Sequence, residues 1–428
     1  MQKLLFFSFF TGMLAFHSFA FASPLIEEAS ILLTNNAQLN EHPTNLNSAK
    51  SVLTRQKQDK ALQKKLTHPD FSWSKAYQKA KQDFLNATGI SYTLDASILA
   101  QRGAPNGKGT PWQSVYYGSL NWDLFQSERF GSGSIQVAYT LVRYWGKNGA
   151  FLGNNIGIAS GLNDYLNKAN YFDQLSYTHQ FSGPLKWLSL TLGQFPLYNF
   201  DGTTYNSNQQ INFISEAFSQ NLTAVYPTAG IGGYISITPN DKLNITVGAQ
   251  DASNISGNRI TTSDFKDKKA TPFVSLTLND KNKLGTYQAS LLFYYQPSVL
   301  EQVGKAKGVS FNFEQNIYQN LAIFMRANGV SKGLTGFKQS YMVGAVLNNP
   351  LNRNPLDQIG LAYGLNKLDK SFYDAPVKSY ENLIEAYWAF GITPFLTLTP
   401  DVQFYINPAL NQKSNTATVA SLRASFMF

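Results

Sequence analysis

The chain contains no cysteine, so it carries neither a disulfide framework nor a thiolate metal site. Charge is scarce, with Asp, Glu, Lys and Arg making up only 14% of its 428 residues, and histidine is limited to four. Beyond the first 22 residues no apolar stretch approaches the ~18 that a membrane-spanning helix requires, which excludes a helical membrane protein. Nucleotide and metal fingerprints are also missing. There is no P-loop, no G-x-G-x-x-G at a strand-to-helix junction and no metal-spaced His/Cys set, so neither cofactor nor metal is expected.

What is present is aromatic, apolar and alternating. Hydrophobic residues make up 43% and aromatics 14%, and Lys+Arg exceed Asp+Glu by 35 to 26, a formal charge of +9. The basic excess is spread along the chain, which suits a lipopolysaccharide surface or solvent better than nucleic acid. Residues 1–22 read as a signal peptide. Lys3 precedes the apolar run Leu4–Phe21, and Ala20, Phe21 and Ala22 form a small-residue cleavage site before Ser23. The competing reading is an uncleaved anchor. Residues 23–87 differ from the rest. The stretch SAKSVLTRQKQDKALQKKL, Ser48–Leu66, is rich in helix formers and lies between Pro43 and Pro69. It predicts a partly helical periplasmic extension that contacts peptidoglycan or joins subunits, with a solvated linker as the alternative.

From Gly89 the period becomes two. Tyr92, Leu94, Ala96 and Ile98 oppose Thr93, Asp95 and Ser97, while Leu243, Ile245 and Val247 oppose Asn244 and Thr246. Val309, Phe311 and Phe313 oppose Ser310, Asn312 and Glu314, and Leu396, Leu398, Pro400, Val402 and Phe404 oppose Thr397, Thr399, Asp401 and Gln403. About sixteen such strands fit between Gly89 and Phe428. Short connections (Phe181–Pro184, Pro239–Asp241, Asn279–Lys283, Gly391–Pro394) are interspersed with long ones near 146–170, 196–228, 251–269 and 366–379. One short rim and one long rim mark an outer-membrane barrel. The predicted fold is therefore all-β, an antiparallel up-and-down transmembrane barrel over 88–428, with an even strand count that puts both barrel ends at the periplasmic rim. Pro400 inside a strand calls for a bulge or a place near the rim.

The polar faces hold Arg326, Arg423, Glu314, Glu381, Glu385 and Asp401. An arginine at the lipid midplane costs ~2–4 kcal/mol, so these residues are predicted to line the lumen. Tyr294, Tyr387 and Gln403 share that register. The long segment Pro196–Thr228 carries Asp201 and Glu216, and its NQQINFISEAFSQ stretch suits a short helix. Folded inward, it would set a constriction in which carboxylates face Arg326 and Arg423, and aromatic faces meet the C–H surfaces of a sugar. Two readings stay open beside this one: the ions pair only with one another, and the loop covers the outer rim. Catalysis is poorly supplied. His17 falls in the signal peptide, His42 and His68 in the extension, and only His179 in the barrel, with no recognisable nucleophile beside it.

The last ~50 residues, from Glu381 and Glu385 before Tyr387 through TPDVQ (399–403) and Asn407–Pro408 to LRASF (422–426), resemble the closing strands of the OprB-type carbohydrate-selective porins. LTLGQFPL (190–197) and LAIFMRANG (321–329) are weaker echoes, and Gln194 stands where better matches have a basic residue. The terminal Phe428 is similar to the C-terminal recognition signal of outer-membrane proteins. The resemblance implies a sixteen-stranded porin that passes sugars by passive diffusion, without a cofactor, narrowed by inward loops and in many cases trimeric. Its partners would be sugars, outer-membrane lipids and lipopolysaccharide. The rivals are a general or anion-preferring porin, a structural barrel with a cell-wall-binding extension, and an outer-membrane enzyme built on His179.

Overall fold

The computed structural model of the chain describes residues 47–65, 72–258, 260, 262, 267–318 and 320–428. The predicted signal peptide, the first part of the extension, and His17, His42 and His68 lie outside the described residues.

Sixteen antiparallel strands close on themselves: β1 Ile90–Ala104, β2 Trp112–Ser127, β3 Gly131–Trp145, β4 Ala169–Gln180, β5 Leu188–Phe195, β6 Gly230–Ile237, β7 Leu243–Asp251, β8 Ala270–Lys281, β9 Thr286–Gln296, β10 Ala306–Ile317, β11 Leu321–Ser331, β12 Phe337–Asn348, β13 Gln358–Leu368, β14 Tyr380–Gly391, β15 Leu396–Ile406 and β16 Thr416–Met427. Each pairs with its sequence neighbours, and β1 pairs with β16 to seal the barrel. A tilted strand needs ~9–11 residues to cross the hydrocarbon core, and most of these strands meet that length. One rim carries the tight connections 128–130, 238–242, 282–285, 318–320 and 392–395. The opposite rim carries 146–168, 196–229, 252–269 and 369–379. Both barrel ends lie at the tight rim, as the even strand count requires.

The two faces of the wall invert the order of a soluble protein, in which Leu and Val hide while Arg and Glu meet solvent. On the outer face Val343, Leu361, Val402 and Leu422 are 49–56% exposed. On the inner face Arg423, Glu385 and Thr399 are at most 1% exposed. Only an apolar solvent outside makes that arrangement favourable. The predicted alternation thus lies on the faces read from the sequence, with Ser310, Asn312 and Glu314 inside and Val309 outside.

Two local details differ from simple alternation. Pro400 faces outward in mid-strand without a bulge, and β15 keeps its register with β14 on both sides of it. The β14 ladder simply lapses opposite Trp388 and Ala389, while Pro400 still pairs with Leu422 on β16, so the missing N–H breaks one ladder only. In β4 the register shifts opposite Ala138 and Tyr139. Asp173 is the extra residue there, and it and Gln174 are both buried.

Two helices precede the barrel, α1 (Val52–Lys65) and α2 (Ser72–Thr88). Helix α2 sits at the tight rim, where the Tyr77 ring lies 5.5 Å from Phe395 and 6.1 Å from the terminal Phe428. The extension does not stand apart from the barrel as expected. Asn47, Ser48, Ala49, Ser51, Val52 and Arg55 are buried, and Val52 packs on Tyr117 and Ala138 of the inner wall.

Val402→Arg is expected to lower unfolding stability in lipid vesicles by ~2–4 kcal/mol, and Val402→Ala by distinctly less. Denaturant titration checks this, and equal losses for the two would place Val402 away from lipid.

Candidate pore constriction

Two long connections turn into the barrel because their sequences carry apolar side chains that the membrane cannot reach and water does not favour. In 146–168, helix α3 (Gly149–Ile156) begins at Asn148, whose side chain accepts from the Phe151 N–H, and ends at Gly157 in the left-handed region. In 196–229, a single turn, α4 (Glu216–Ser219), begins at Ser215, whose hydroxyl accepts from the Ala217 N–H. Leu152, Ile156 and Leu162 from the first segment meet Phe213 and Phe218 from the second, and together they pack on Phe324, Leu383 and Tyr387 of the wall. The segments touch directly at Gly161, whose N–H donates to Glu216 Oε2 at 3.0 Å. A Cβ at Gly161 would lie 2.2 Å from that oxygen, so the contact requires glycine.

Charged wall residues then fasten the loops. Arg423 donates from Nη1 to the Gln209 and Asn212 carbonyls (2.7 Å to the latter) and from Nη2 to the Ile211 carbonyl at 3.0 Å. Arg326 donates to the Asn206 and Gln220 carbonyls and to Asn312 Oδ1 at 3.0 Å. The carboxylates take the complementary groups. Glu385 accepts from the Ile214 and Ser215 N–H, Glu314 from Thr204 N–H at 3.0 Å, and Glu381 from Ala159 and Ser160 N–H at 2.9 Å and Ala409 N–H at 2.8 Å. Cations therefore hold loop carbonyls and anions hold loop amides, all as charge-assisted hydrogen bonds. Among the described residues neither arginine lies within salt-bridge distance of a carboxylate, so the reading in which the ions simply neutralise one another does not describe them.

The remaining sequence candidates join the same assembly. Gln403 donates to the Leu162 carbonyl at 3.0 Å, and Asp201 accepts from Ser310 at 2.5 Å, Asn221 at 2.8 Å and Tyr226 at 3.0 Å. The Tyr387 ring meets Phe213 at 4.9 Å, Tyr294 donates to the Thr223 carbonyl at 3.2 Å, and Asp401 is buried beside Glu385. The His179 ring meets Phe181 edge-to-face near the tight rim, away from this cluster.

One group escaped sequence reasoning. Lys50 Nζ lies 2.5 Å from Asp164 Oδ2 and 5.4 and 5.9 Å from the ring centres of Tyr165 and Tyr198. Tyr198 in turn donates to Asp173 at 2.5 Å. Burial opposes the Lys50 charge, but Asp164, Tyr165 and Asp173 outweigh it and hold the ammonium above its usual value. Burial, reinforced by Asp164, pushes Glu216 up to about 7. No periodicity announces this group, because Lys50 stands outside the barrel sequence, Asp164 in a loop and Asp173 at a bulge.

The comparisons with known proteins agree with this architecture. Residues 127–428 match the family described as carbohydrate-selective porin, OprB family. Porin AaxA of Chlamydia abortus is 37% identical over 348 residues, covering 79% of this chain and 77% of its own. Porin AaxA of Chlamydia pneumoniae is 35% identical over 349 residues, covering 79% of each. The high-pH structure of Pseudomonas putida OprB superposes with a TM-score of 0.67 at 15% identity, covering 82% of this chain and 97% of its own, a likeness of fold.

Arg423→Ala is expected to free the 209–212 carbonyls and lower stability by about 1–3 kcal/mol, with faster hydrogen exchange in 209–216 while strand content holds. Unchanged exchange would remove Arg423 as an anchor. Glu216 has a native pKa of about 7 against an ordinary 4.5, so the native loop binds the proton more tightly than the unfolded chain does. Its attachment should therefore weaken as pH rises from 4.5 through 7. Amide exchange at Gly161 should be slower at acidic than at alkaline pH after correction for intrinsic rates, and Glu216→Gln should flatten the difference. The same profile in both proteins would contradict it.

Proposed function

The chain belongs to the OprB family of carbohydrate-selective porins, and on that premise we propose that this outer-membrane porin lets small neutral carbohydrates diffuse passively through its lumen. The observation that carries the reading is the way the internal charges are engaged. Arg326, Arg423, Glu314, Glu381 and Glu385 bind loop backbone, and Lys50 and Arg55 bind Asp164 and Asp95. What remains on the inner wall is largely neutral. Gln101, Gln113, Asn121 and Gln136 on β1 to β3 give it an amide character, with the hydroxyls of Thr93, Ser97, Ser119 and Thr140 between them, although these groups are buried and most of them already bond to the inward loops or to one another. Neutral donors and acceptors suit a hydroxylated solute, and weak binding at several places lets it enter without being trapped. In this reading the inward-facing wall charges, from Glu314 to Arg423, shape the passage by holding Asp201, Glu216 and the rest of the loop in place. The anion-preferring alternative draws on the +9 charge, but Arg326, Arg423, Lys50 and Arg55 inside the barrel are already engaged.

Swelling of liposomes that hold the purified full chain tests the proposal. Neutral mono- and disaccharides should permeate faster than acidic or basic amino acids of similar size, and millimolar sugar should reduce ion current in planar bilayers. No sugar flux, or faster flux of charged amino acids, would replace the reading with a general or ion-preferring porin.

A further inference from the structure

The N-terminal stretch occupies the lumen from wall to wall. At one side the Tyr117 hydroxyl of β2 donates to the Lys50 carbonyl at 2.5 Å, and Arg55 Nη2 binds Asp95 of β1 at 2.6 Å. At the other, Thr277 donates to Asn47 Oδ1 at 3.1 Å from β8, six strands further round the barrel. Between these walls the stretch lies on the inward loop. Asn47 N–H donates to the Asn199 carbonyl at 2.7 Å, Asn47 Nδ2 to the Phe200 carbonyl at 3.1 Å, and Ala49 N–H to Ser207 Oγ at 2.8 Å. We propose that residues 47–58 are a resident plug, a segment of the chain itself that closes part of the channel at the level of the inward loops and must shift for full conductance.

The chemistry of the contacts favours a removable segment over a permanent part of the wall. A permanent element buries a packed apolar face, as the inward loops do with Phe213, Phe218 and Leu152. This stretch buries Ala49 and Val52 as its apolar side chains, and its other contacts are hydrogen bonds, two ion pairs and the approach of the Lys50 ammonium to the Tyr165 and Tyr198 rings. Water entering the lumen can replace each of those polar partners, so leaving exchanges bonds rather than forfeiting them. Helix α2 keeps its own seat at the rim through Tyr77 on Phe395 and Phe428 and Phe84 on Tyr92 at 6.0 Å. A displaced plug therefore remains attached and at hand to return. The inference depends on the chain being a channel and not on which solute it passes.

The absence of cysteine makes the test clean. In the full chain, Val52→Cys with Ala138→Cys should form a disulfide that locks the plug to β3. Single-channel conductance of the oxidised protein should be low and should rise several-fold on reduction, in the same preparation and with the same fold. Lys50→Ala with Arg55→Ala should show the higher conductance without a reductant, with strand content unchanged by circular dichroism. Equal conductance in the oxidised, reduced and doubly substituted proteins would make the segment a static lining and overturn the proposal. Failure of the pair to cross-link would also overturn it, by placing the segment elsewhere.

Discussion

The bilayer interior offers no hydrogen-bond partner, and that constraint governs the rest of this structure. Every strand must find both neighbours, so the sheet has to close, and pairing of β1 with β16 is the step that removes the last edge. The pleat of each strand sets the side-chain period at two, and closure divides the two faces between hydrocarbon and water. Leu361, Val402 and Leu422 face outward for the same reason that Arg423 and Glu385 face inward. The strand that contains Pro400 tolerates its missing donor because only the ladder to β14 lapses, while the ladder to β16 continues through it.

A barrel of sixteen strands encloses more space than its own side chains fill, and the chain turns loops inward to occupy it. An inward loop exposes backbone donors and acceptors to a lumen of limited water, and each needs a partner. The wall supplies them by charge. Arg326 and Arg423 collect carbonyls, and Glu314, Glu381 and Glu385 collect amides. The loops also bury Phe213, Phe218, Leu152 and Leu162 against Phe324 and Tyr387, so the barrel contains a small apolar core of its own inside a polar wall. This double fastening fixes both loops inside the barrel.

Much of the barrel was legible from the sequence because period two is a property of single residues and their next neighbours. The inward set from Glu314 to Arg423 was legible for the same reason, as was the long segment carrying Asp201 and Glu216. Their partners were not. Whether Arg423 meets a carboxylate or the Gln209 carbonyl depends on how a loop more than two hundred residues away in sequence is folded, and no local pattern encodes that. Lys50 was hidden more completely. A basic, helix-forming stretch reads as a solvated face, and only the three-dimensional meeting of Asp164, Tyr165 and Tyr198 converts it into a buried ion pair. Asp173 sits at a bulge that alternation alone does not reveal.

The division of the wall between two solvents is open to direct measurement. With no native cysteine in the way, single substitutions at Leu361, Val402 and Leu422 can be made in the full chain and reconstituted into vesicles. The account predicts that a lipid-soluble thiol reagent modifies all three while a charged, water-soluble reagent leaves them unmodified. Modification of Leu361→Cys, Val402→Cys and Leu422→Cys by the charged reagent alone would contradict it.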